Sequence, residues 1–167
     1  LSKAEEIRSY LIWSLGSFQR VSPDQITLFS IIILTGISFS FLITKSLNLL
    51  LLGSDYARSS GVSIKKNQLF ILIIVSLLSG TVTAFCGPVV FIGIMAPHIA
   101  RLIIHSNNHR QLIPFTLVIG SGLALLAELI SSSILSDISI PLNATLGIMG
   151  APLLLFFIVT KSNRGHM

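Results

Sequence analysis

The strongest constraint on this chain lies between Lys66 and Arg101. Residues 67–100, 34 positions in a row, contain no Asp, Glu, Lys or Arg. A helix that crosses the hydrocarbon core of a bilayer needs roughly 20 apolar residues. The stretch is too long for one crossing and long enough for two. Gly87-Pro88 is the break it offers, because proline cannot continue a helix and glycine permits a turn. Spans at 67–86 and 88–105 follow. The same reading places further spans at 25–45, 112–131 and 142–160. Only 10% of the residues are charged, against about a quarter in a soluble domain. The expectation is an all-α membrane protein with about five transmembrane helices.

The connecting segments are then 1–24, 46–66, 106–111, 132–141 and 161–167. The basic residues orient them. Lys45, Arg58, Lys65 and Lys66 lie between spans one and two, Arg101 and Arg110 between spans three and four, and Lys161 and Arg164 after span five. The turns around Gly87 and around 131–141 hold neither Lys nor Arg. By the positive-inside rule the eight mark the cytoplasmic side. The carboxyl-terminal tail is expected there, and segment 1–24 outside. The net charge of +5 is thus a topology signal, which excludes nucleic acid as a partner. Tyr10 and Trp13 in "YLIWSLGSF" (10–18) suit an interfacial helix. The single cysteine, Cys86, excludes an internal disulfide and a multi-cysteine metal site. The chain opens at Leu1 without the charged and apolar regions of a signal peptide, and reads as a segment of a longer protein.

Small residues recur within the spans: Ser79, Gly80 and Ala84; Gly120, Ser121, Gly122, Ala124 and Ala127; Gly147, Gly150 and Ala151. In lipid such positions let helices approach closely. They read as helix–helix contacts, or as a small-residue wall on a substrate path. Pro97 and Pro152 would each free a backbone carbonyl and bend a helix. In segment 46–66, Ser54 followed by Asp55 reads as the cap of a helix of one to two turns, with Gly61 as its stop. That helix would lie on the cytoplasmic face, either docking a soluble partner or resting on headgroups.

Several stretches resemble the FecCD/BtuC-type permeases of iron-siderophore, haem and cobalamin importers. "LNLLLLGSDYARSSGV" (47–62) is similar to the family's L-N-x-L-x-L-G-x-x-x-A-R-x-L-G-V. "GPVVFIGIMAPHIARLIIHSNNHRQLIPF" (87–115) and "IPLNATLGIMGAPLLLFFI" (140–158) resemble two further family motifs in order, and "WSLGSF" (13–18) a fourth. The resemblance implies the second half of a ten-span type II ABC importer permease, multi-pass in the bacterial inner membrane. It implies a homodimer of permease subunits, an ATP-binding ABC subunit on the cytoplasmic face and an external substrate-binding protein. Hydrolysis of ATP would lie on the partner chain, so this subunit is not itself an enzyme, and no cofactor is implied. The cargo implied is a siderophore–iron chelate, haem or cobalamin. Segment 46–66 would form the coupling surface for the ATPase, with Gly53, Ala57, Arg58 and Gly61 matching the motif and Asp55 and Tyr56 exposed. The chain departs from the family at Glu128 and Ser132, where an Asp and an Arg often stand, and at Asn107-Asn108, where an aspartate is common; Asn can cap a helix as well.

Candidates on the substrate pathway are Pro97, His98, Glu128 and Gly147. An intramembrane carboxylate such as Glu128 is costly and marks a functional position unless it reaches the interface. His98, His105 and His109 are spaced by seven and four residues, which would align them on one continuous helix. Two readings of His98 stand beside each other, a ligand and a buried histidine bonded to a neighbouring carbonyl. The polar run Ser106-Asn107-Asn108 is expected to end the helix and separate the three. No HExxH, GxSxG or Walker A motif occurs, so no catalytic residue and no metal site is assigned. The alternatives to a permease are an intramembrane metal-dependent enzyme using His98 and His105, and a structural membrane subunit.

Overall fold

A computed structural model describes residues 3–133 and 141–164. Most of the connection 132–141, expected above to be external, and residues 165–167 of the tail lie outside them. Every regular element among the described residues is helical. Helix α1 covers Lys3–Ser14, and a 3-10 turn follows at Phe18–Arg20. Then come α2 (Pro23–Leu42), α3 (Thr44–Leu51), α4 (Ser54–Ser59), α5 (Ile64–Cys86), α6 (Ile92–Ile104), α7 (His109–Ser133) and α8 (Leu142–Arg164).

The long helices are apolar on every side. The most hydropathic windows of α2, α5 and α7 have mean hydropathies of 1.9, 2.4 and 2.0, yet only 6%, 17% and 6% of their residues are buried within the chain. Apolar helices so exposed suit lipid or further apolar protein around them, not water. Pro23 starts α2 at a position where its missing N–H costs nothing. Asp24 sits in the first turn, where its charge complements the helix dipole. Ile43, in a helical but closed conformation (φ −89°, ψ −2°), separates α2 from α3. The Thr44 hydroxyl donates back to the Phe41 carbonyl at 2.7 Å.

The break at Gly87-Pro88 falls where the sequence indicates. Helix α5 ends at Cys86, and Gly87 adopts φ +80° with its N–H donating to the Thr83 carbonyl at 3.0 Å. A Cβ at Gly87 would come within 2.5 Å of the Trp13 carbonyl oxygen and 3.2 Å of the Gly16 Cα. Glycine is required there by both conformation and space. The helix assigned to 88–105 is shorter than expected. It begins only after Phe91, whose φ is +69°. Its 13 residues span about 20 Å, less than the roughly 30 Å of a hydrocarbon core. Residues 88–91 cover the rest in irregular backbone.

Three prolines lie inside helices: Pro97 in α6, Pro114 in α7 and Pro152 in α8. Each withholds a hydrogen bond from the carbonyl four residues earlier. Pro114 is the one the sequence reading passed over.

The core forms where α6, α7 and α8 meet. Met95, Ala127, Leu142 and Leu146 are its buried members, with Phe91, Ile92 and Leu123 packed against them. Small residues bring α6 and α7 together: a Cβ on Gly120 would lie 3.5 Å from the Ala96 Cβ. Gly150 sits under the Phe91 ring, where a Cβ would meet three of that side chain's carbons at 2.8 Å. The expectation that the small residues mark contacts needs correction at Gly80 and Gly122, which have no neighbour within 4 Å. Gly36, not among those expected, packs under Leu78 of α5.

Candidate functional site

Two ends of the bundle hold its polar chemistry. At one end stand α3 and α4, between α2 and α5, with Gly53 and Gly61 on either side of α4. The sequence reading placed the cap of α4 at Ser54. Ser54 is instead the first helical residue, and Gly53 occupies the cap position with φ +108° and no side-chain bond. The stop at Gly61 is as expected. Gly61 has φ +84°, its N–H donates to the Arg58 carbonyl at 2.9 Å, and the Val62 N–H donates to the Ala57 carbonyl at 2.9 Å. This pair of bonds is a Schellman ending, which selects glycine at the left-handed position. Helix α3 has no counterpart in the sequence analysis. Eight residues are too few for its period to stand out from the apolar span before it.

Ala57 is fully buried (0% exposed) and anchors α4. Asp55, Tyr56 and Arg58 point outward. Leu51, Leu52 and Tyr56 expose more than half of their surface each. The six positions Gly53, Asp55, Tyr56, Ala57, Arg58 and Gly61 are thus one short unit with a buried small anchor and an exposed face that mixes apolar and charged groups.

This unit is tied to the α6–α7 turn. Helix α6 stops at Ile104, and His105 takes a left-handed conformation (φ 49°, ψ 30°). His109 opens α7. The three histidines therefore do not share one helix face. The Asn48 Nδ2 donates to Asn108 Oδ1 at 2.7 Å, while Asn48 Oδ1 accepts from the His109 backbone N–H at 2.8 Å and lies 2.9 Å from His109 Nδ1. A carbonyl oxygen only accepts, so His109 carries its proton on Nδ1 in this contact. Asn108 Oδ1 also accepts from the Arg110 N–H at 3.0 Å. Asn108 thus caps α7.

Beneath that clasp lies a cavity of about 340 Å³ between α2, α3, α5, α6 and α7, bordered by Leu47, Ile74, Pro97, Arg101, His109 and Leu112. A larger apolar cavity of about 830 Å³ lies further along α2, α5, α6 and α7, bordered by Phe29, Cys86, Ala96, Pro97, Gly120 and Ala124. Pro97 borders both. His98, Glu128 and Gly147 border neither, so the four pathway candidates do not converge.

His98 lies on the exposed side of α6, not buried as one reading had it, and its Nδ1 is 2.9 Å from the Ile94 carbonyl. His105 Nδ1 is 3.2 Å from the Ile103 carbonyl. Each ring is oriented by its own helix, and no group of three or more His, Cys, Asp or Glu able to hold a metal is gathered among the described residues. Glu128 Oε1 accepts from Gln19 Nε2 at 2.8 Å. Gly147 faces the Phe91 ring.

At the other end, Asn143 ties three segments. Its Nδ2 donates to the Pro88 carbonyl at 2.7 Å and to the Ser14 carbonyl at 3.1 Å. Its Oδ1 accepts from the Val90 N–H at 3.3 Å, and its own N–H donates to the Leu15 carbonyl at 3.2 Å. The Ser17 N–H closes the junction on the Cys86 carbonyl at 2.9 Å. Neither Asn48 nor Asn143 was singled out from the sequence. The available signal was an amide beside an apolar run, a residue type that in lipid must find partners.

The described residues thus form an all-helical bundle of apolar helices with the short helices α3 and α4 at one end, an architecture that fits half of an ABC transporter permease. The comparisons with known proteins agree: residues 1–160 match the FecCD transport family, and the chain belongs to it. It is 32% identical over 153 residues to the ferric enterobactin transport system permease protein FepD of Escherichia coli, covering 92% of this chain and 45% of FepD. It is 28% identical over 161 residues to the hemin transport system permease protein HmuU of Yersinia pestis, covering 96% and 48% respectively. A solved structure described as an inward-facing metal-chelate-type ABC transporter superposes with a TM-score of 0.87 at 25% identity, over 95% of this chain and 52% of that one. The chain spans about half the length of the curated relatives it matches.

Proposed function

We propose that the chain is the carboxyl-terminal half of a permease subunit that imports an iron chelate or haem across the bacterial inner membrane. In this reading ATP is hydrolysed on a separate ABC subunit, which docks on α3–α4. A second permease subunit and an external substrate-binding protein complete the importer. Pro97 borders the cargo's path. The observation that carries the reading is the α4 unit. A residue with no exposed surface, Ala57, holds it to the bundle, while Asp55, Tyr56 and Arg58 project from it. An exposed aromatic beside a charged pair suits a partner surface, since aromatic and arginine side chains concentrate binding energy. Movement of such a unit against the bundle would drive alternating access as a rigid-body change.

The named cargoes of FepD and HmuU support an iron-bearing substrate, and they supply the probes. In the complete permease, Tyr56→Asp and Arg58→Glu are expected to strip the ATPase subunit during purification and to abolish uptake of radiolabelled ferric enterobactin or hemin. Retention of the ATPase subunit by both variants overturns the docking surface. Failure of the wild type to take up either probe overturns the cargo.

A further inference from the structure

The clasp between α3 and the α6–α7 turn has a property that simple packing does not explain. The first four N–H groups of an α-helix lack partners within it. In α7 three of the four are met locally. The Asn108 N–H donates to Ser106 Oγ at 3.2 Å, the Arg110 N–H to Asn108 Oδ1 at 3.0 Å and the Gln111 N–H to the Asn108 carbonyl at 3.0 Å. The fourth, on His109, is met from another helix, by Asn48 Oδ1 at 2.8 Å. Asn48 also holds the capping residue itself through Asn108 Oδ1, and its oxygen meets the His109 ring. One side chain of α3 therefore completes the amino-terminal cap of α7.

We propose that Asn48 is the positioning residue that carries displacement of the α3–α4 unit to α7. This rests on the proposed docking of an ATPase on that unit. Two further observations favour it. The cavity of about 340 Å³ lies directly between the elements joined by the clasp, with Leu47 on one side and His109 and Leu112 on the other. Apolar packing across that gap is incomplete, so the polar contact bridges it. The unit is also joined to the long helices by short connections: Ile43 alone separates it from α2, and residues 60–63, with the Schellman turn at Gly61, lead to α5. Prolines follow on both helices beyond the turn, Pro97 in α6 and Pro114 in α7, where a lost backbone bond eases bending.

The test needs no transported substrate. Spin labels are placed on α7 at Val118 and on α5 at Leu72, which are 71% and 62% exposed, in the complete permease bound to its ATPase subunit in nanodiscs. The label distance is measured with and without ATP and vanadate. Wild type is expected to shift on trapping. Asn48→Leu is expected to keep the ATPase subunit bound and to hydrolyse ATP, with the population of the shifted state falling about tenfold, the effect of losing three hydrogen bonds of about 0.5 kcal/mol each. Asn108→Asp retains the acceptor and is expected to retain the shift. Asn108→Leu is expected to lose it, and the double variant Asn48→Leu/Asn108→Leu to be no worse than either single change. If Asn48→Leu does not assemble, Asn48→Asp, which sets a carboxylate against Asn108 Oδ1, decides in its place. A preserved shift in the Asn48 variant, or no shift in wild type, overturns the proposal. If those results coincide with loss of ATPase binding in Tyr56→Asp, the docking surface stands without the clasp.

Discussion

Replacing Asn143 by alanine should loosen the junction where α1, the α5–α6 turn and α8 meet. The substitution removes bonds of 2.7 Å to Pro88, 3.1 Å to Ser14 and 3.3 Å to Val90, while the backbone bond to Leu15 remains. A net hydrogen bond contributes about 0.5–1.5 kcal/mol. Two good bonds and one long one in a half-buried site give a loss of about 2 kcal/mol. Cys86 reports it. Its side chain is 3% exposed and its carbonyl holds the Ser17 N–H, so the thiol reacts only when the junction opens. If the junction opens and closes faster than the dye reacts, about 2 kcal/mol raises the reaction rate about 30-fold. The assay is the rate of fluorogenic maleimide labelling of the complete permease in nanodiscs, with Cys86 as its one cysteine. Asn143→Asp should be at least as fast, because it keeps the acceptor for Val90 but sets a carboxylate against the carbonyls of Ser14 and Pro88. A rise of less than about threefold in Asn143→Ala, below the effect of one hydrogen bond, would refute the reasoning.

Leu146 is fully buried among Met95, Ala127 and Leu142, and Leu146→Ala should cost about 2–5 kcal/mol, read as a lower melting midpoint of the purified permease. Gly150→Ala should be more damaging than Gly36→Ala. At Gly150 a Cβ meets the base of the Phe91 side chain, Cβ included, at 2.8 Å, and that residue is already held at φ +69°, whereas at Gly36 it meets Leu78 Cδ2 and Cγ, which rotation about the Leu78 side-chain bonds can move away. The comparison is checked by melting the two variants side by side, and equal midpoints would contradict it.

Much of this bundle is legible in its charge pattern. The charge-free run at 67–100 demands two apolar segments, and Gly87-Pro88 marks their boundary because no other pair there so opposes helix. The Gly61 stop is legible for a similar reason: a left-handed residue after a short polar helix selects glycine. The histidine spacing is ambiguous by itself, since aligned spacing means alignment only on a continuous helix, and α6 ends at Ile104. The shortness of α6 was hidden because irregular backbone at 88–91 carries the same apolar residues as a span. Apolar composition reports surroundings and not backbone conformation.

What the sequence determined alone was local or compositional: apolar helices, their breaks, the placement of basic residues in particular connections and the family motifs. Tertiary structure decided which polar groups meet. Asn48 finds Asn108 and His109 from some 60 residues away, and Asn143 finds Ser14 from 129 away. Nothing in either neighbourhood specifies the partner. An amide in an apolar setting must be satisfied by someone, but only the packing of the helices brings a particular carbonyl or N–H within reach.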